Sequence, residues 1–210
     1  MITDYHRLMV LWHQLYEIAE PASLRAGRQP EIDAHEREMA AAHERAQHRL
    51  ADDMLARIHV QEPSFFESMV IDVLLAMGYG GRSRELARRL GRTGDGGIDG
   101  VIAVDELGLD LIYLQAKRLK PDTVVPVSNV RDFVGSLDAH HAGKGIFVAT
   151  GHFSPAAVTF TQQVSRRVAL IDGRKLVGLM IRHNIGVRDH RSFQIKRLDA
   201  DYFKRPSEPA

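Results

Sequence analysis

The sequence predicts an α/β sandwich with a mixed sheet, preceded by a helical segment. Three observations carry this. Residues 1–62 contain almost no glycine and no strand-like run. After Pro63 the apolar pattern switches between period 3.6 and short β-rich runs. The resulting order, α, β, β, α, β, α, β, α, matches a sheet with helices packed on it.

Taken in order, Met1–Ala19 carries Leu8, Leu11, Trp12, Leu15 and Ile18 at helical spacing. Pro21–Pro30 is a loop. Glu31–Val60 is a long second helix with Met39, Ala42, Ala46, Leu50, Met54, Leu55 and Ile58 on one stripe. Ser64 followed by Glu67 has the spacing of a capping box, and Phe66, Val70, Val73, Leu74 and Met77 form the apolar face behind it. Arg82–Leu90 is a short basic helix, and Gly91, Gly94, Gly96, Gly97 and Gly100 make a loop. The runs Ile98–Val104 and Leu109–Ala116 form a hairpin across 105–108. Val127–Ala139 is a helix, Lys144–Thr150 a buried strand, and Ser154-Pro155 the cap and first residue of a helix to Arg167. Val168–Ile171 is a strand, Asp172-Gly173 a turn and Arg174–His183 the last helix.

Composition narrows the function. Twenty-eight basic residues against 27 acidic ones leave a net charge of +1, so any pull on nucleic acid must come from local clustering. The absence of cysteine excludes disulfides, thiolate zinc sites and cysteine nucleophiles. No run is long and apolar enough to span a bilayer, and the first residues lack a signal peptide's cationic start and cleavage site. A soluble, cytoplasmic protein is expected.

The chemistry gathers in GDGGIDG (94–100) and QAK (115–117). Asp99 heads one strand, while Gln115 and Lys117 lie on the next and share a face that Ala116 does not. Asp99, Gln115 and the Ala116 carbonyl can offer a hard cation oxygen ligands. Lys117 can orient or help deprotonate a water and stabilise developing phosphorane charge. The set suits phosphodiester hydrolysis.

GDGGIDG, the hairpin, QAKR, KGIFVAT and LIDGRKL together resemble the catalytic domain of Mrr-type restriction endonucleases, within the PD-(D/E)xK nuclease superfamily. FFESMVIDVLLAMGYGG (65–81), LMI..NIGV (179–187) and LDADYF (198–203) extend the likeness to about two thirds of the chain, in order. The resemblance implies a restriction endonuclease-like fold with a central mixed sheet flanked by helices. It makes Asp99 the metal-binding aspartate and Lys117 the catalytic lysine. Gln115 stands where most of the superfamily is acidic, as the Mrr branch commonly has it. Glu67 matches a first-helix glutamate that can add a ligand. The winged-helix domain common before the catalytic domain is not legible in residues 1–62, which show two helices and no β-wing.

Each signal has a plainer explanation. Asp99 suits a glycine-rich turn, Lys117 could be a solvated strand end, and Gln115 an edge-strand glutamine. Glu67 could serve the capping box as readily as a metal. Arg82, Arg84, Arg88, Arg89 and Arg92, extended by Arg118 and Lys120, could be a solvated face, but beside a phosphate-cleaving centre they fit DNA backbone better. His35, His43, His48, His140 and His141 lack metal-site spacing and are placed at the surface.

The expectation is thus a helical segment (1–62, accessory, linker or dimerising), a nuclease domain (63–203) and a disordered tail (204–210). The activity expected is endonucleolytic cleavage of double-stranded DNA with Mg2+, or Mn2+ in its place, in defence against foreign or methylated DNA. A homodimer or higher homo-oligomer is expected, without membrane. The rivals are a DNA-binding or partner-binding module that keeps the fold without cleavage, and a repair or recombination nuclease on the same scaffold.

Overall fold

The chain is described by a computed structural model. It covers residues 34–80, 87–89, 97–105, 107–194 and 196, with 34, 35 and 87–89 described in backbone alone. The expected helix at 1–19, the loop at 21–30, Arg82, Arg84, Arg92, the 198–203 motif and the tail lie outside these residues. Contacts divide the chain into two units, Met1–Arg49 and Leu50–Ala210.

The helices are α1 (Ala34–His59), α2 (Pro63–Ala76), α3 (Val127–Ala139), α4 (Pro155–Gln163) and α5 (Gly173–Arg182). The strands are β1 (Ala87–Arg89), β2 (Gly100–Ala103), β3 (Leu111–Lys117), β4 (Val124–Val125), β5 (Lys144–Ala149), β6 (His152–Phe153) and β7 (Arg167–Ile171). Five strands form the central sheet in the order β1-β2-β3-β5-β7, and β4 pairs with β6. The β1, β2 and β3 strands are antiparallel, and β3, β5 and β7 are parallel. The expected mixed sheet flanked by helices is present. Its sense follows connection length: a short turn joins β2 to β3, and helical crossovers join β3 to β5 and β5 to β7.

Alternation then sorts side chains into two layers. Ile112, Leu114 and Ala116 of β3, Ile146 and Val148 of β5, and Ile171 of β7 pack with α2, α5 and, from α1, Met54 and Ile58. On the other side, Tyr113, Phe147, Ala149 and Leu170 pack with Val130, Phe133 and Leu137 of α3 and Ala157 of α4. Of the stripe expected on α1, Met54 and Ile58 are buried, whereas Met39 and Leu50 are exposed.

The hairpin turn is set by one carboxylate. Asp105 accepts the N–H groups of Leu107 at 2.9 Å, Leu109 at 3.2 Å and Asp110 at 2.6 Å. These donors, Asp110's foremost, hold its carboxyl below the usual carboxylate range.

Several local expectations are corrected. Residues 87–89 are a strand rather than part of a helix, because Ala87–Arg89 pairs along Ile102–Gly100 and sheet pairing outweighs local helix preference. The capping box at Ser64 does not form. Glu62 is the N-cap, with no side-chain bond, and Pro63 takes the first turn, where its fixed φ and missing N–H are harmless. Ser64 then lies inside the helix, its carbonyl accepting from Ser68 Oγ at 2.9 Å. Asp172 is a true N-cap, accepting from Lys175 N at 2.8 Å, and α4 ends at Gln163 rather than Arg167. Ser154 caps α4 as expected, accepting from Ala157 N at 3.2 Å.

Candidate active site

The pairing of β2 with β3 runs from Ala103↔Leu111 to Gly100↔Leu114. One residue earlier, Asp99 still donates its N–H to Leu114 O at 2.8 Å. Its Oδ2 accepts the next available β3 donor, Ala116 N–H, at 2.7 Å. The last rung of the ladder is therefore a side chain, and a half-buried carboxylate is fixed where β2 leaves β3. A strand residue presents its N–H and C=O on the same edge, so the Ala116 carbonyl lies on Asp99's side.

Gln115 and Lys117 project into the α3–α4 layer, as alternation requires. Gln115 is only 6% exposed, and its Oε1 is buried with no hydrogen-bond partner among the described residues. An orphan buried acceptor is costly unless something supplies a donor or positive charge. Gly97 closes over this amide. A Cβ there would sit 2.4 Å from Gln115 Nε2, and its φ of +83° is one that L side chains rarely adopt. Gly97→Ala should therefore displace Gln115 and reduce activity at least tenfold. The folding penalty should stay within about 1–2 kcal/mol, as for a strained loop position; unchanged turnover would refute the packing argument.

Lys117 Nζ lies 5.6 Å from the centroid of the Phe147 ring, which is fully buried. That contact restricts an otherwise flexible ammonium. Its carbonyl accepts from Thr150 N at 3.1 Å, tying the end of β3 to the end of β5.

Gln115, Ala116 and Lys117 are thus the last three residues of β3, and Asp99, just before β2, is bonded to the middle one. Glu67 is half-buried on α2, in the layer opposite the one that Gln115 and Lys117 enter. Among the described residues no group of three or more His, Asp or Glu could hold a metal. The oxygen donors here are instead one carboxylate, one amide and one backbone carbonyl.

The basic set divides. Arg88 and Arg89 stand on β1, and Lys120 is exposed. Arg118 turns inward, Nη1 donating to His59 O at 2.6 Å, while its Nε is buried without a partner among the described residues. His140 and His141 are exposed, as expected. Sequence reasoning missed His59, Thr150 and Phe147. Thr150 Oγ1 accepts Leu119 N–H at 2.7 Å and donates to Leu119 O at 3.0 Å. No local signal marks His59, whose partners are some sixty residues away.

A family model described as restriction endonuclease, Mrr_cat, matches residues 58–180. The chain is 43% identical over 155 residues to the type IV methyl-directed restriction enzyme EcoKMrr of Escherichia coli strain K12. That alignment covers 74% of this chain and 49% of the enzyme, so the chain spans about half the length of this curated relative. Among solved structures, the DNA modification-dependent restriction endonuclease AspBHI aligns with TM-score 0.49 at 21% identity, over 67% of this chain and 36% of that one. MspJI restriction endonuclease, in complex with a 27-mer oligonucleotide, aligns with TM-score 0.40 at 22% identity, over 76% and 34%.

Proposed function

The chain belongs to the Mrr family of restriction endonucleases, and from that premise we propose that it cleaves phosphodiester bonds of double-stranded DNA with a divalent cation. The observation that carries this reading is the Asp99 carboxylate clamped on Ala116 N–H, with Gln115 and Lys117 beside it on the same strand. A role in restricting foreign or methylated DNA is supported by the 43%-identical relative, a methyl-directed restriction enzyme. We place the protein in the cytoplasm; among the described residues no helix is long and apolar enough to cross a membrane.

The donors fit Mg2+, with Mn2+ as a substitute, because all are hard oxygens and Gln115 Oε1 is a buried acceptor without a hydrogen-bond partner among the described residues. Asp99, Gln115 and the Ala116 carbonyl would hold the ion, which when bound supplies Lewis acidity toward the scissile phosphate and a more acidic water. Glu67 is the proposed accessory group. The Lys117 ammonium orients the attacking water and offsets charge growing on the phosphoryl oxygens. Arg88, Arg89 and Lys120, with Arg82, Arg84 and Arg92, are assigned to the DNA backbone, where contacts are sequence-independent and salt-sensitive. Arg118, already bonded to His59 O, serves the fold first. Pairing two centres for a double-strand break calls for a second copy, and the exposed Met39 and Leu50 on α1 are where that contact is proposed.

The test is plasmid cleavage on methylated and unmethylated substrate with Mg2+, with Mn2+ and with EDTA. Metal-dependent nicking or linearisation that EDTA abolishes is expected. DNA binding without cleavage of any substrate would favour the binding-module reading, and cleavage of branched DNA alone the repair reading. Light scattering of the full chain beside Met39→Glu and Leu50→Glu checks assembly.

A further inference from the structure

The two residues after Lys117 are gripped from both sides. Just after β5, Thr150 N donates to Lys117 O at 3.1 Å, and Thr150 Oγ1 bonds both the N–H and the carbonyl of Leu119. From α1, His59 makes a reciprocal pair: its carbonyl accepts Arg118 Nη1 at 2.6 Å, and its Nδ1 lies 2.9 Å from Leu119 O. A carbonyl only accepts, so Nδ1 is the donor in this contact. Leu119 O then accepts two donors, Thr150 Oγ1 and His59 Nδ1, which uses both lone pairs.

We propose that His59 is a positioning residue for Lys117, acting through this clasp on Arg118 and Leu119. The proposal rests on the nuclease reading above. It gives the end of α1 a part in the site. Two features separate it from ordinary packing. Met54 and Ile58, one and a fraction turns or less before His59, already bury α1 in the core, so the helix does not depend on the imidazole for attachment. The bond that holds Arg118 runs to a backbone carbonyl at the end of α1, so it ties the chain just after Lys117 to that helix. What the clasp fixes is the direction of the chain leaving Lys117. Without it, Lys117 would keep its Thr150 bond and Leu119 its two bonds to Thr150 Oγ1, but Arg118 and Leu119 O would lose their hold on α1. A misplacement of about 1 Å at a reacting group can cost about 100-fold in rate.

The experiment uses the full chain with His59→Leu, which keeps bulk and removes the N–H, and His59→Asn, whose amide can donate near the Nδ1 position. Three readouts are taken: plasmid nicking resolved into kcat and KM, amide hydrogen exchange over residues 115–122, and thermal unfolding. His59→Leu should lower kcat roughly 10- to 100-fold with KM within about threefold, since only alignment changes. Exchange at Leu119 should rise at least tenfold while the core strands keep their protection. His59→Asn should recover most of both. Wild-type kcat and wild-type exchange in His59→Leu overturn the proposal, as does a loss that Asn does not restore and that follows a general drop in Tm. The exchange readout needs no cleavage, so a wild-type protein that fails to cut counts against the nuclease reading, and exchange alone decides the clasp.

Discussion

Lys117→Met should lose roughly 100- to 1,000-fold in DNA cleavage while binding DNA within a few-fold of wild type. The size follows from what a preorganised cation contributes where charge develops: removing one such group costs about 3–4 kcal/mol of transition-state stabilisation. Methionine is the informative replacement. It keeps an apolar stem against the fully buried Phe147 ring, over which the ammonium now lies, so β3 and the α3–α4 layer stay packed. Binding is spared because the proposed backbone contacts are spread over several arginines and Lys120, each contributing a salt-sensitive share. Lys117→Arg should rescue poorly, since a planar fork cannot reproduce a compact ammonium at one point. The check is single-turnover nicking beside a salt-dependent binding titration on the same DNA. Cleavage at the wild-type rate in Lys117→Met would remove Lys117 from the chemistry.

Much of this arrangement is legible in the sequence for one physical reason: strand periodicity is strict. Once β2 and β3 are read as a hairpin, Gln115 and Lys117 must share a face, and Asp99 must lie near the far end of β3, which is where the structure has them. The expected bounds of α3, Val127–Ala139, agree with the structure because its apolar stripe is clear and Pro126 stops it from starting earlier. The rest was hidden wherever a distant partner decides. Ala87–Arg89 is composed like a helix and becomes a strand only because β2 offers an edge. β4 and β6 are two residues each, too short to show a period. Arg118 reads from sequence as one more cation in a basic patch. Its actual partner, His59 O, lies 59 positions away, and charge alone cannot announce that. Pro63 displaced Ser64 as the helix start, a contest between two good signals that local spacing does not rank.

Gly145→Val should destabilise the protein by about 3 kcal/mol, at the severe end of overpacking. Strand propensity alone argues the other way: valine suits a strand and glycine weakens one, so on an open sheet this substitution would stabilise. Packing reverses the sign. A Cβ at Gly145 would lie 2.7 Å from Leu137 Cδ1, 2.7 Å from Phe133 Cζ and 2.9 Å from Phe133 Cε1. Both neighbours are fully buried, so neither has solvent to move into. Phe133 is further held by Phe147, ring centroids 5.4 Å apart, and Phe147 by Phe153 at 5.3 Å. Relief must come from lifting α3 off β5, which shifts Phe147 and with it the surface under Lys117. Cleavage should accordingly fall even below the temperature at which the variant unfolds, and Tm should drop by roughly 6–12 °C for a unit of this size. Adding Leu137→Ala should return part of the loss, although that change alone is destabilising, because the two sites share one volume and their effects are not additive. A Gly145→Val protein with unchanged or raised Tm would show that α3 is not held against β5 as closely as these contacts require.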